Sequence, residues 1–493
     1  MRKLLLSVIV LVAGLQYTFA QNELDALRYS QIFPGGTARF ASMGGSFGAL
    51  GGDFSTLGIN PAGIGIYRGS EFTVTPLLHH SYSETEYFNT YEDEMKYSFN
   101  LNNLGLVLAF PVGSQVDDGG WQFVNIGLGI NRYNNFNGRW IASGFNPYSS
   151  RMAGILQQAN REGSVDNLDP FSTQLAYETW LIGEDDEGFF TDMLHGVDQF
   201  QETNTSGSVR EFVLSMGANY NDRLYLGATV GFPSISYEEE SVFHEQDVEG
   251  SNEVFNSMTF RNNFKTTGSG YNFKFGAIFR VTDFVRLGGA FHSPTFYDLR
   301  DSYSSSMRSD LNLDYDTDAA QSPDGRFDYE LTTPVKAIGS IGFIFGQQGL
   351  LNIDYEYTDY TKSRLRSSDY LFTEENRAIR ESFTAQHAVR AGGELRLDPV
   401  ILRAGYGYYS NPYKDGVNNA QRSVLSAGFG VRESNYFIDF AYTHSFFSED
   451  YYLYQLDSNN PADYGLAGDN WAPPVADRKF TSGTYMITFG WRY

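Results

Sequence analysis

From about Ser70 to the carboxy-terminal Tyr493 the chain alternates with period two. The last segment shows it most cleanly. Tyr485, Ile487, Phe489, Trp491 and Tyr493 fall on one face; Thr484, Met486, Thr488, Gly490 and Arg492 fall on the other. Successive strand residues point to opposite sides, so one face is apolar with aromatics at both ends. The pattern recurs at 224–232, 351–358 and 436–443. A soluble sandwich and a membrane barrel share this period, and the connections separate them. Turn-type dipeptides at Asn221-Asp222, Thr282-Asp283, Gln347-Gln348, Asp398-Pro399 and Glu433-Ser434 make tight links. Long polar links lie near 84–98, 135–206, 241–267, 301–323, 363–381, 411–421 and 449–478. Short and long alternate strictly, as inner turns and outer loops of a barrel do. The expected fold is all-β: a transmembrane antiparallel β-barrel of about 14 strands over residues 70–493.

Composition closes other routes. Among 493 residues, Asp plus Glu is 59 against 35 Lys plus Arg, a formal charge of −24. Nucleic acid is excluded as a partner, because phosphate backbones need a cationic surface. Cysteine is absent, which removes disulfides, thiolate metal sites and Cys nucleophiles. The mean hydropathy of −0.34 excludes a bundle of apolar spanning helices. Aromatics at 16% and 51 glycines leave the barrel as the membrane class that fits.

Residues 1–20 read as a signal peptide. Arg2 and Lys3 precede an apolar run from Leu4 to Leu15, and Thr18-Phe19-Ala20 is a cleavage site. The mature chain is thus exported, and only a closed barrel would hold it in a second membrane. The expected location is the outer membrane of a Gram-negative bacterium, as a multi-pass barrel.

Two segments stand outside the ladder. Residues 135–206 form one long outer loop with helical patches at 151–158 and 174–181. Residues 21–69 are rich in glycine yet carry Ile32, Phe33, Phe40, Met43, Phe47, Leu50 and Phe54. Such a segment is either a disordered tail or a plug inside the lumen, and its apolar content favours the plug.

Within that segment, Ala38-Arg39-Phe40-Ala41-Ser42-Met43-Gly44-Gly45, Gly51-Gly52-Asp53 and Asn60-Pro61-Ala62-Gly63 lead into the first strand. This resembles the hatch of the FadL/TodX family of outer-membrane channels for hydrophobic compounds. The resemblance spans the mature chain in architecture and residues 38–63 in motif. It implies that 21–69 is a hatch whose movement passes a hydrophobic ligand toward an opening in the wall near a kinked third strand. Arg39, Gly44, Gly45, Asn60, Pro61 and Ala62 would then serve in hatch docking and gating. The third strand itself slips phase: Trp121 and Phe123 hold one parity, then Val124, Ile126, Leu128 and Ile130 the other. A slip of one residue predicts a bulge; the alternative is a plain strand with Phe123 turned inward. The aromatic C-terminus resembles the signal read by the barrel-assembly machinery during insertion.

Candidate binding residues come from two places. Parity puts Arg390, Glu394, Arg403, Asp354, Glu356, Asp439, Arg286 and Lys274 inside the lumen. Buried charges need partners, so they pair with one another or with the hatch, or Arg390 and Arg403 meet a carboxylate head group. In the outer loop, Leu175, Tyr177, Trp180, Leu181, Phe189, Phe190 and Leu194 are candidates for an apolar groove, or else fold the loop onto the rim. His79-His80 cannot share a metal from one side of a strand. The acidic runs at 184–187 and 238–240 read as solvated loop. No catalytic motif is present, so no enzyme, cofactor or metal is expected. The expected function is passive uptake of a hydrophobic small molecule, a long-chain fatty acid first, in a setting of outer-membrane lipid and lipopolysaccharide. The alternative is a barrel component of a protein-secretion or haem-acquisition system.

Overall fold

The computed structural model describes residues 23–112, 120–312, 319–456 and 475–493. The proposed signal peptide lies outside the described residues. Fourteen antiparallel strands close on themselves. They are β1 (Glu71–Tyr87), β2 (Thr90–Pro111), β3 (Trp121–Asn135, resuming as Gly138–Asn146), β4 (Val197–Tyr220) and β5 (Leu224–Gln246). Next come β6 (Phe255–Arg280), β7 (Val285–His292 and Phe296–Leu311), β8 (Gly325–Thr332 and Lys336–Phe345) and β9 (Gly349–Asp359, with Arg364–Arg366 beyond a turn). The last are β10 (Ala385–Leu397), β11 (Val400–Tyr409), β12 (Arg422–Arg432), β13 (Tyr436–Tyr452) and β14 (Val475–Arg492). Closure is made by β14 on β1, from Glu71 opposite Arg492 to Glu86 opposite Asp477. Closure matters physically, because an open strand edge in lipid leaves backbone donors and acceptors unmet.

Parity holds along the wall. Tyr485, Ile487, Phe489 and Trp491 are exposed on the outside while Met486 and Thr488 are buried inside. The strands are longer than expected, up to 26 residues in β6, against roughly 10 needed to cross a bilayer. The links near 84–98 and 241–267 are therefore mostly strand, not loop. β1 and β2 pair to Tyr87 opposite Thr90, and turn through Phe88 and Asn89, both with positive φ. In 90–98 the inward face carries Glu92, Glu94, Lys96 and Ser98 while Asp93 interrupts the outward Tyr91, Met95 and Tyr97, so the apolar alternation weakens while the hydrogen-bonded ladder with β1 continues. The slip in β3 is a register shift against β4 between Trp121 and Phe123, and a second lies between Arg132 and Asn134.

The 135–206 region continues β3 and then folds on itself. Helix α3 (Arg151–Glu162) starts at Ser150, whose hydroxyl accepts from Met152 N, and ends at Gly163 with φ 80°. Helix α4 (Thr173–Glu178) follows. Both fall on the expected helical patches.

Residues 23–69 pass inside the wall, as α1 (Glu23–Ser30), α2 (Ala38–Ser42) and two 3-10 turns (Phe54–Gly58 and Pro61–Ile66). Phe40, Phe47, Leu57 and Ile64 are fully buried there. The wall holds this luminal segment by its side chains: Ala38 N donates to Thr488 Oγ1 at 2.7 Å, and Phe47 N donates to Asp354 at 3.0 Å. Inward-facing glycines explain the close fit. A Cβ on Gly405 would lie 2.2 Å from the Met43 carbonyl carbon, and one on Gly227 2.3 Å from Pro61.

Candidate functional site: a luminal cavity behind a polar seam

Between the luminal segment and the wall lies an open cavity of about 470 Å³, lined by Leu24, Leu27 and Arg28 of α1 as well as by strand residues. Its floor is the turn after α2, where Gly44 and Gly45 take φ of 64° and 71°. Its walls pair guanidinium groups with aromatic faces. The Arg422 guanidinium lies between the rings of Phe33 and Phe447, at 4.1 and 4.2 Å. Arg478 stacks on Tyr451 at 4.1 Å and Trp140 at 4.4 Å, and pairs with Glu449 at 2.7 Å. Arg132 is buried and donates to Asn100 Oδ1 at 2.6 Å and to the Gly207 carbonyl at 3.1 Å. Among the described residues neither Arg132 nor Arg422 has a carboxylate within 4 Å. The rest of the lining mixes aromatic rings with Asn, Ser and Thr side chains and the carboxylates of Glu239, Glu449 and Asp450. Two cations set against aromatic rings suit a molecule with an anionic head and an apolar body.

One side of the cavity is closed unusually. The β2–β3 ladder stops at Asn103 opposite Asn131, although β2 stays paired with β1 to its end. Beyond that row, side chains replace the backbone ladder. Glu92 accepts from Ser143 at 2.6 Å, Glu94 pairs with Arg139 at 3.3 Å, and Lys96 donates to the Thr205 carbonyl at 2.7 Å. Ser98 accepts from Asn135 at 3.4 Å and Asn100 from Arg132. These are alternate, inward-facing residues of one strand. On its outer face the same stretch shows Tyr91, Met95, Tyr97, Phe99 and Leu101 exposed. Arg132, Asn135 and Thr205 also line the cavity, so the seam is the cavity's side wall.

The fourteen-strand barrel matches solved structures over nearly its whole length. A Pseudomonas aeruginosa FadL homologue aligns at TM-score 0.56 and 13% identity, covering 93% of this chain and 99% of the other. The P. putida toluene transporter TodX gives 0.54 and 13%, with 94% and 99% covered. The Ralstonia pickettii toluene transporter TbuX gives 0.52 and 14%, with the same coverage. The chain has the FadL/TodX fold. No protein-family model and no curated protein matches the sequence.

Within this fold the sequence candidates separate into three groups. Arg390 is fully buried and bonds Glu356 at 2.8 Å; Arg403 bonds Glu394 at 2.8 Å and Asp439 at 2.6 Å. Neither lines the cavity; both are engaged by wall carboxylates. Arg39 joins the second cluster through Glu394 at 3.0 Å. Asn60 Oδ1 accepts from Ala62 N at 3.1 Å, capping the turn that begins at Pro61, while its Nδ2 donates to the Gly48 carbonyl at 2.6 Å and the Ala277 carbonyl at 3.2 Å. The loop residues pack onto the outer ends of the strands, in one core with Phe243, Phe255, Met258, Phe260 and Met307. Leu175, Leu181 and Phe189 are buried with Met152 and Trp140, and Tyr177 and Leu194 pack against them. Trp180 and Phe190 remain exposed. None of the seven lines the cavity; the core shared with the strand ends follows the alternative expectation, in which these residues fold the loop onto the rim. His79 faces inward to Thr484 at 2.8 Å and lines the cavity, while His80 lies beside Tyr97 and Tyr485.

The sequence reading missed Arg132, Arg422 and Phe33. For Arg422 a signal existed: Leu425, Phe429 and Val431 face outward, so an even-numbered residue at the strand's outer end points inward.

Proposed function

We propose that this chain is an outer-membrane channel for passive uptake of hydrophobic small molecules, with long-chain fatty acids the leading substrate class. One observation carries the reading: an aromatic cavity of about 470 Å³ that holds Arg132 and Arg422 without a carboxylate partner among the described residues. Its size falls in the range of small-molecule sites. A buried methylene contributes roughly 0.8 kcal/mol, so the tail supplies affinity and the guanidinium groups fix the head. The matched fold, which includes proteins named as toluene transporters, supports the hydrophobic substrate class. Residues 21–69 act in this reading as the hatch, with Arg39, Gly44, Gly45, Asn60, Pro61 and Ala62 fixing its position. The seam between β2 and β3 is the side exit or entry. Uptake then follows the concentration gradient.

Native mass spectrometry with lipid extraction tests this on detergent-purified protein, before and after incubation with oleate, toluene and haemin. Retained oleate is expected. A barrel that binds neither oleate nor toluene, and instead co-purifies with a protein, overturns the reading.

A further inference from the structure

The outward surface of β7, β8 and β9 changes character at one row. Tyr271, Phe296, Thr332 and Arg364 lie side by side across four strands. Toward the lipid, Phe273, Phe275, Phe291 and Val335 are exposed. Away from it, the next outward rows carry Asp298, Glu330 and Arg366, then Arg300 and Asp328, then Lys265 and Arg326. Neighbouring strands lie about 4.8 Å apart and alternate residues about 6.6 Å, which sets the four arginines in a field roughly 20 Å long and roughly 10 Å wide.

Cross-strand ion pairing accounts for part of this field. Arg300 bonds Asp328 at 2.6 Å and Arg326 approaches the same carboxylate at 3.6 Å. Lys265 pairs with Glu238. Arg364 and Arg366 are exposed and have no carboxylate within 4 Å among the described residues, although Glu330 shares a row with Arg366. Sheet stabilisation thus leaves two guanidinium groups over, at the first rows above the lipid-facing aromatics. Basic residues exceed acidic ones here, five to four, in a chain whose formal charge is −24.

We propose that Arg300, Arg326, Arg364 and Arg366 bind the phosphates of an anionic glycolipid of the outer leaflet. The inference rests on the reading of the barrel as an outer-membrane protein. Position decides the occupant: whatever lipid touches Phe296 and Tyr271 places its head group against these rows. Guanidinium forks match phosphate oxygens two at a time, and cations beside an anionic head-group layer are attracted to it. The bound head group would fix the outer half of the sheet at the membrane surface.

The test uses the full chain in mixed micelles with bis-phosphorylated lipid A, its dephosphorylated form, or inorganic phosphate, read by native mass spectrometry. Wild type is expected to retain phosphorylated lipid A at least about tenfold better than R364Q/R366Q. R308Q, farther out on β7, should behave as wild type. Equal retention by R364Q/R366Q, equal retention of the dephosphorylated lipid, or displacement by inorganic phosphate overturns the proposal. Oleate binding by R364Q/R366Q is expected to be unchanged, so a failed channel and a failed lipid site read differently.

Discussion

Arg39 in the luminal segment and Glu394 in the wall of β10 meet at 3.0 Å across 355 residues of sequence. Arg403 donates to the same carboxylate oxygen, and Arg39 also donates to the Gly52 carbonyl at 2.9 Å. The luminal segment is therefore fastened at mid-length to the wall and to itself. Removing Arg39 leaves Glu394 still paired with Arg403 and Arg396, so the loss is that of a charge-assisted bond, roughly 1.5–3 kcal/mol. R39A is expected to lower the unfolding temperature and to raise single-channel conductance in planar bilayers, as the segment loosens. Wild-type conductance and stability together would show that the pair does not hold the segment.

The strands were legible because the lipid enforces them. Tyr485 through Tyr493 alternate so strictly that parity follows from the residues alone, while the phase slip between Trp121 and Val124 allowed either a bulge or a plain strand. Beyond the bilayer that enforcement stops. Between Glu84 and Ser98 acidic residues fall on both faces, Asp93 among the outward Tyr91, Met95 and Tyr97, so a hairpin looked like a loop. The cavity was less legible still. Phe33, Arg132, Arg422 and Arg478 come together through barrel closure and the path of the luminal segment, and no spacing in the chain encodes that. The run from Leu175 to Leu194 allowed two readings, because apolar density marks a loop packed onto the rim as readily as a groove; the packing against Phe243 and Phe260 is that of the rim.

The seam offers a direct mechanical test, because the chain has no native cysteine. Ser98 and Asn135 face each other across it, with Asn135 Nδ2 donating to Ser98 Oγ at 3.4 Å. Cysteines at both positions, joined by a short bis-maleimide, would fix β2 to β3 above the last ladder row. Uptake of a fluorescent fatty acid into proteoliposomes is expected to fall at least severalfold on cross-linking. Either single cysteine, treated alike, should keep wild-type uptake. If the cross-linked protein transports normally, substrate takes another path.

Glu245 gives the outer loop a pH dependence. It lies buried at the end of β5, where its carboxyl accepts from Ser150 Oγ at 2.6 Å and from Arg151 N at 2.8 Å at the start of α3. Burial pushes its pKa above the ordinary value, against the pull of those bonds. A raised carboxyl pKa means that the folded loop holds the proton more tightly than the unfolded one. Its contribution is fully present below the unfolded pKa of about 4.3 and is lost as pH rises through the folded value. Hydrogen exchange over 147–196, corrected for intrinsic rates, should show more protection near pH 5 than near pH 8. E245Q is expected to flatten that difference; an unchanged profile assigns it to other groups.

Arg422 separates an anionic from a neutral hydrophobic ligand under the proposed function. Its guanidinium is held by the rings of Phe33 and Phe447, which position the charge without neutralising it. A carboxylate head group would gain a charge-assisted bond of about 1.5–3 kcal/mol, whereas a neutral hydrocarbon would gain nothing from that charge. R422M keeps much of the apolar stem between the rings and removes the cation. Oleate affinity is expected to drop about tenfold or more, with toluene binding unchanged, by isothermal calorimetry in detergent. R422K should recover part of the loss, since an ammonium keeps the charge and gives up the planar stacking. Equal loss for both ligands would mean that Arg422 shapes the cavity; no loss for oleate would place the head group elsewhere.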